Sequence, residues 1–153
     1  MGLSKDEMLE TVRLHAAFEY ASDLDATMAT VSEHPLWEFH PLGIRVEGRE
    51  AVSRAYELQF VHNLPFVESS AQRTVFFGES GLAKEAEYTI RLPSGVRTVG
   101  HALIAFTFEE GLVSSERAYL SGGFVKLLED TFADEDFFAI PGVSKMENLY
   151  PNP

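Results

Sequence analysis

Cysteine is absent from the 153 residues. That excludes a disulfide framework, a thiolate nucleophile and any cysteine-ligated metal. Basic residues are scarce: 12 Lys and Arg stand against 24 Asp and Glu, for a formal charge of −12. So acidic a chain is repelled by phosphate backbones and anionic membrane surfaces, and we expect neither nucleic acid nor membrane as a partner. No apolar run approaches the roughly 20 residues that span a bilayer. Met1-Gly2-Leu3-Ser4-Lys5-Asp6 lacks a signal-peptide pattern, and Asp6 sits where a myristoylation motif needs Ser or Thr. The expected location is the cytoplasm. Gly-rich phosphate loops, a nucleophile elbow and paired metal-ligand motifs are also missing. We therefore expect no metal and no organic cofactor.

What the chain does have is apolar content, 45% of its residues, in a length that suits one domain with a real core. Ser4 followed by Glu7 is a capping box, and the spacing of Met8, Val12 and His15 predicts a helix from Lys5 to Tyr20 with His15 on or beside the buried stripe. A core histidine looks the same in sequence. Ser22-Asp23-Leu24-Asp25 ends this helix and caps a second, which Glu33-His34-Pro35 breaks. In Trp37-Glu38-Phe39-His40, apolar and polar residues alternate as in a half-buried strand, and Pro41 ends it. His40 is placed at a strand end beside a turn, fixed yet reachable. Gly43 and Gly48 punctuate a second short strand. A third helix runs from Glu50 to His62, with Val52, Tyr56 and Phe60 inward and Val61 beside them.

The second half is β-rich. Ala71–Glu79, Leu82–Leu92, Val96–Phe108 and Leu112–Leu120 are separated by Gly- and Pro-containing turns. Ala86, Tyr88, Ile90 and Leu92 alternate with Glu85, Glu87, Thr89 and Arg91. The third run is apolar on both faces: Val99, Leu103 and Ala105 on one, Gly100, Ala102, Ile104 and Phe106 on the other. Helices can cover one face, and a second subunit would cover the other, so a homodimer is expected. His62 is assigned to the surface and His101 to the dimer face. Residues 131–153 form an acidic tail with Phe132, Phe137, Phe138 and Tyr150. We expect it to dock on the first 130 residues, over the cavity mouth, across the partner, or as a surface strap.

Helices first, two short strands between the second and third, then four long antiparallel strands: this order resembles the α+β cone of the nuclear transport factor 2-like superfamily. Asp23-Leu24-Asp25, Gly48-Arg49-Glu50-Ala51 and Glu116-Arg117-Ala118-Tyr119 look like its SnoaL-like polyketide cyclase and ketosteroid isomerase branches. The resemblance covers Lys5 to Gly123. It implies helices packed on a strongly curved antiparallel sheet, cystatin-like in outline. His40-Pro41-Leu42-Gly43 stands where the isomerases place an aspartate base before a Pro-x-Gly turn. His15 falls at their oxyanion tyrosine and Ile104 at their second oxyanion donor, so that hole is not reproduced. Ala118 falls at the acid of epoxide-hydrolase relatives. Tyr88 and Glu116 remain as polar pocket positions.

Convergence of His15, His40, Tyr88 and Glu116 on one apolar cone would allow proton-transfer chemistry. His40 would act as base, His15 as oxygen-binding partner, and Glu116 as orienter or as an acid raised by burial. Trp37, Tyr56, Ile90, Ala102, Ile104, Phe106 and Leu120 would form walls for a small hydrophobic carbonyl or polyketide-like compound. Isomerisation, cyclisation, dehydration and hydrolysis stay open. So do a non-catalytic ligand-binding protein and a dimeric interaction module whose cone is filled by its own side chains.

Overall fold

The computed structural model describes residues 2–133 and 135–146. Helix α1 (Lys5–Tyr20) begins at a formed capping box: Ser4 Oγ accepts the Glu7 N–H, and the Glu7 carboxylate accepts the Ser4 N–H at 2.8 Å. Met8, Val12 and His15 are its buried residues. Asp23 accepts the Ala26 N–H and opens α2 (Leu24–Ala29).

Strand β1 (Val31–His40) starts six residues earlier than the Trp37 expected from its pattern. Pro35 does not prevent this, because the β1 ladder skips from Val31 to Leu36 and leaves the proline in an irregularity where no ladder donor is needed. His34 is exposed on this strand rather than in a turn. Then come β2 (Ile44–Glu47) and α3 (Arg49–His62), which buries Ala51, Val52, Ala55, Tyr56 and Leu58. Val61 is 63% exposed. One step past Phe60 turns a side chain about 100° out of the stripe.

Strands β3 (Val67–Phe77), β4 (Gly81–Arg91), β5 (Arg97–Glu109) and β6 (Leu112–Gly122) form successive antiparallel pairs. Strand β1 joins the far side of β6 as the sheet's parallel pairing, with Trp37 beside Glu116 and Phe39 beside Ala118. Register shifts in β3 and between β5 and β6 bend the sheet. The result is an α+β fold with helices packed on a curved, mainly antiparallel sheet. Its concave face buries Trp37, Phe39, Ala86, Tyr88, Ile90, Ala102, Phe106, Ala118 and Leu120. On the opposite face Val99, Leu103 and Tyr119 are 45%, 38% and 39% exposed.

The chain after β6 continues as α4 (Gly123–Thr131), α5 (Glu135–Phe138) and β7 (Val143–Lys145), which completes a sheet of order β3-β4-β5-β6-β1-β2-β7. Phe132 sits 5.0 Å from Phe39 and 4.9 Å from Phe137, ring centre to ring centre, and both Phe132 and Phe137 are buried. Gly142 has φ +94° and its carbonyl accepts the Glu47 N–H; a Cβ there would collide with the Glu47 carbonyl oxygen. Tyr150 and Asp134, part of the tail expectation, lie outside the described residues.

Candidate active site

The last turns of α1 carry His15 inward, and Glu19 follows four residues later on the same face. Helix α3 brings Tyr56 opposite. Strand β6 contributes Glu116, whose face is fixed by alternation with buried Ala118 and Leu120. These four groups meet around one nitrogen. His15 Nε2 lies 2.8 Å from the Tyr56 hydroxyl, 2.9 Å from Glu19 Oε1 and 3.8 Å from Glu116 Oε2. The Trp37 indole N–H donates to the Tyr56 hydroxyl at 2.9 Å, and that hydroxyl donates towards Glu116 at 3.5 Å.

The other face of the imidazole sets its tautomer. Thr30 Oγ1 donates to the Thr27 carbonyl at 2.6 Å, so it must accept at its 2.6 Å contact with His15 Nδ1. Nδ1 therefore carries a proton, and Nε2 is the atom turned to the carboxylates. Burial alone would lower the imidazole pKa. The Glu19 and Glu116 charges outweigh that and raise it from 6.5 to about 10, so the ring is an imidazolium at neutral pH. Burial raises the Glu116 carboxyl above its ordinary value, with the charge on Glu19 adding to that and His15 opposing it. Glu19, nearer to Nε2, is the ring's principal counter-ion. Burial also holds Tyr56 well above the ordinary phenol value, so it stays protonated.

His15, Glu19 and Glu116 offer three donor atoms within 4.8 Å of one another. A divalent cation would have to displace the Nε2 proton and share the position held by the Tyr56 hydroxyl. The cluster as it stands is balanced by that proton.

The cluster lines a cavity of about 80 Å³ together with Tyr88, Asn63, Ile104, Phe106, Leu120, Phe124 and Leu128. Ligand pockets for drug-sized molecules run to about 300–1,000 Å³. The cone is thus mostly filled by its own side chains, and α4 is the reason. Phe124 stacks on Tyr88 at 4.7 Å and 6°, and a Cβ on Gly100 would strike Phe124 and Ile90. Half-buried Leu64 and Val67 and exposed Tyr20 rim the cavity, which opens where α1 and α3 end.

Of the residues anticipated from sequence, His15, Glu116, Tyr88, Tyr56, Ile104, Phe106 and Leu120 line this cavity. Trp37 lies behind Tyr56, and Ile90 and Ala102 are packed in the wall without lining the space. His40 does not join them. Trp37 and Phe39 take the concave side, so alternation sends His40 to the opposite face. There it stacks on Tyr119 at 4.7 Å and lies 3.3 Å from Glu38, which Arg117 also contacts at 3.2 Å. The role of base in the cone assigned to His40 is therefore withdrawn. His101 is exposed beside Glu87, and His62 is exposed at the end of α3. Glu19 and Phe124 were missed. The i,i+4 spacing from His15 would have found the first; nothing local in the sequence marks the second. The tail from Thr131 to Met146 contributes no side chain to the cavity, so among the described residues it is a strap along β2 and not a cover for the mouth.

No known family's sequence profile matches the chain, and no curated protein matches it. Solved structures do. A nuclear transport factor 2-like protein from Burkholderia xenovorans superposes with a TM-score of 0.66 at 18% identity, over 85% of this chain and 99% of that one. The epoxide hydrolase/cyclase-like enzyme SalBIII, with a role in pyran ring formation in the polyether salinomycin, gives 0.65 at 20% identity, over 78% and 95%. A de novo designed protein with a curved β-sheet gives 0.65 at 15%, over 86% and 98%. At such identities the likeness is one of fold, and the chain adopts the nuclear transport factor 2-like fold.

Proposed function

We propose that the protein is a cofactor-independent proton-transfer enzyme acting on the carbonyl end of a small, uncharged, hydrophobic compound. The observation that carries this reading is the buried His15–Glu19–Glu116–Tyr56 cluster opening on an apolar cavity. Glu116 is the proton acceptor: its raised pKa brings it towards the working range of a general base. His15, held as a cation, balances the charge on Glu19 while Glu116 cycles between its neutral and ionised forms. Tyr56, fixed by Trp37, ties the two together. Anionic substrates are disfavoured by the overall charge of −12. An intact polyketide does not fit in about 80 Å³, so a larger substrate would insert only its reacting end.

The test is hydrogen–deuterium exchange at the α-carbon of cyclobutanone, followed by proton NMR in D₂O. Catalysed exchange above the buffer rate is expected. A rate equal to buffer would remove the enzyme reading and leave the filled cone of a binding or interaction module, which the small cavity favours.

We also infer a homodimer through the convex face. Val99, Leu103 and Tyr119 are exposed there beside an open groove lined by His40, His101 and Ser121. Leu103→Glu should place two like charges near the centre of the interface and yield monomer in light scattering at micromolar concentration. A wild-type protein that is already monomeric would remove the dimer.

A further inference from the structure

Asn63 ends α3 and is 2% exposed, yet its Nδ2 has no hydrogen-bond partner among the described residues. It lines the same cavity as the carboxylate–imidazole cluster. A buried amide nitrogen without an acceptor carries the full desolvation cost of its N–H groups, so such atoms call for an explanation. The backbone around it is satisfied: the Asn63 N–H donates to Gln59 and its carbonyl accepts from Phe66. Capping therefore accounts for the main chain of this residue and not for its side chain. A second donor in the cavity has no protein acceptor either. The Tyr88 ring is held in place by the stack on Phe124, and its hydroxyl makes no hydrogen bond among the described residues, although unlike Asn63 Nδ2 it is not shut away from solvent.

The carboxylate acceptors in this cavity, Glu19 and Glu116, are engaged with His15 and Tyr56. The space thus presents acceptors bound to their own donors at one place and donors with nothing to bind at another. A ligand that completes it brings an acceptor and no donor. An alcohol or amine would add a donor where donors are already in surplus.

We propose that Asn63 Nδ2 is the docking point for the carbonyl oxygen of a neutral ketone or aldehyde. This rests on the proton-transfer reading of the same cavity and gives it an oxygen subsite. Negative charge developing on the oxygen as Glu116 removes an α-proton is held there by the amide N–H, and it returns to carbon when the proton is delivered back. No oxidant or co-reactant is needed.

The experiment uses ¹⁵N-labelled full-length protein and two probes of one shape: cyclobutanone, and methylenecyclobutane, in which =CH₂ replaces =O. Titration followed by NMR should shift the Asn63 side-chain amide peaks with cyclobutanone, which should bind about tenfold more tightly than the hydrocarbon. Asn63→Leu should erase the preference. Asn63→Asp keeps the shape, removes the donors and should do the same, which guards against a folding defect in the leucine variant. Equal affinity of the two probes in the wild type overturns the subsite, as does an absence of cyclobutanone binding at its solubility limit. If Asn63 binds cyclobutanone but no exchange is catalysed, the subsite stands and the enzyme reading falls. If exchange proceeds equally in the wild type and both variants, the subsite falls and the enzyme reading stands.

Discussion

Glu116→Gln should lower α-proton exchange by about 10²–10⁴-fold, the usual contribution of a positioned acid–base group. The same change should alter how stability depends on pH. In the folded wild type the Glu116 pKa is raised, so ionising it costs stability, and that cost grows as pH rises from 4.5 through its folded pKa. The His15 pKa is raised from 6.5 to about 10, so its contribution is fully present below 6.5 and is lost as pH climbs towards 10. Both groups therefore make the wild type less stable with increasing pH. Glutamine removes the first dependence outright. It weakens the second, because Glu19 is then the remaining carboxylate beside His15. Urea denaturation across pH 6.5 to 10 should show a shallower decline for the variant than for the wild type. Unchanged exchange in Glu116→Gln would reject Glu116 as the proton acceptor, whatever the stability data show.

Phe137→Ala is expected to cost about 3–5 kcal/mol, the range for removing a buried phenylalanine. Phe137 is 1% exposed and is the hub of a ring stack from Phe132 at 4.9 Å to Phe138 at 5.6 Å. Phe132 in turn meets Phe39 at 5.0 Å, on the strand that also carries Trp37. The loss should appear as a lower urea midpoint with the exchange rate per folded molecule unchanged, because no described strap side chain lines the cavity. A variant that folds normally but exchanges slowly would show that the tail acts on the site after all.

Much of this architecture was legible because it rests on local rules. Ser4 and Glu7 make a capping box wherever the following residues are helical, and the spacing of Met8, Val12 and His15 fixes which ring faces inward. The alternation of Tyr88 with its charged neighbours survived because β4 is regular opposite β5. Glu116 was placed correctly although a register shift lies close by, since the shift falls before Ser115 and not after it. The misreadings share one cause, which is a choice between two faces that only long-range pairing makes. His40 had to be outward once Trp37 and Phe39 were inward, but the resemblance to a catalytic aspartate pulled it the other way. The start of β1 depends on β6, some eighty positions later, and Pro35 looks like a barrier until that partner's register is known. Phe124 fills the cone because α4 turns back across it, and no residue near Gly122-Gly123 announces the direction of that turn. Glu19 is different, since it was within reach of the i,i+4 rule.

Trp37 is the sole tryptophan of the chain. Its indole is 1% exposed and its N–H is bonded to the hydroxyl that also meets His15 and Glu116. The protein therefore contains its own fluorophore, wired to the proton relay at a distance of one hydrogen bond. Excitation of this indole reports the charge state of the cluster without a label. Its emission should stay blue, as for an indole shielded from water, and its intensity should change as His15 gives up its proton near pH 10. A steady-state titration in a cuvette would then read the charge of the cluster before any substrate has been identified.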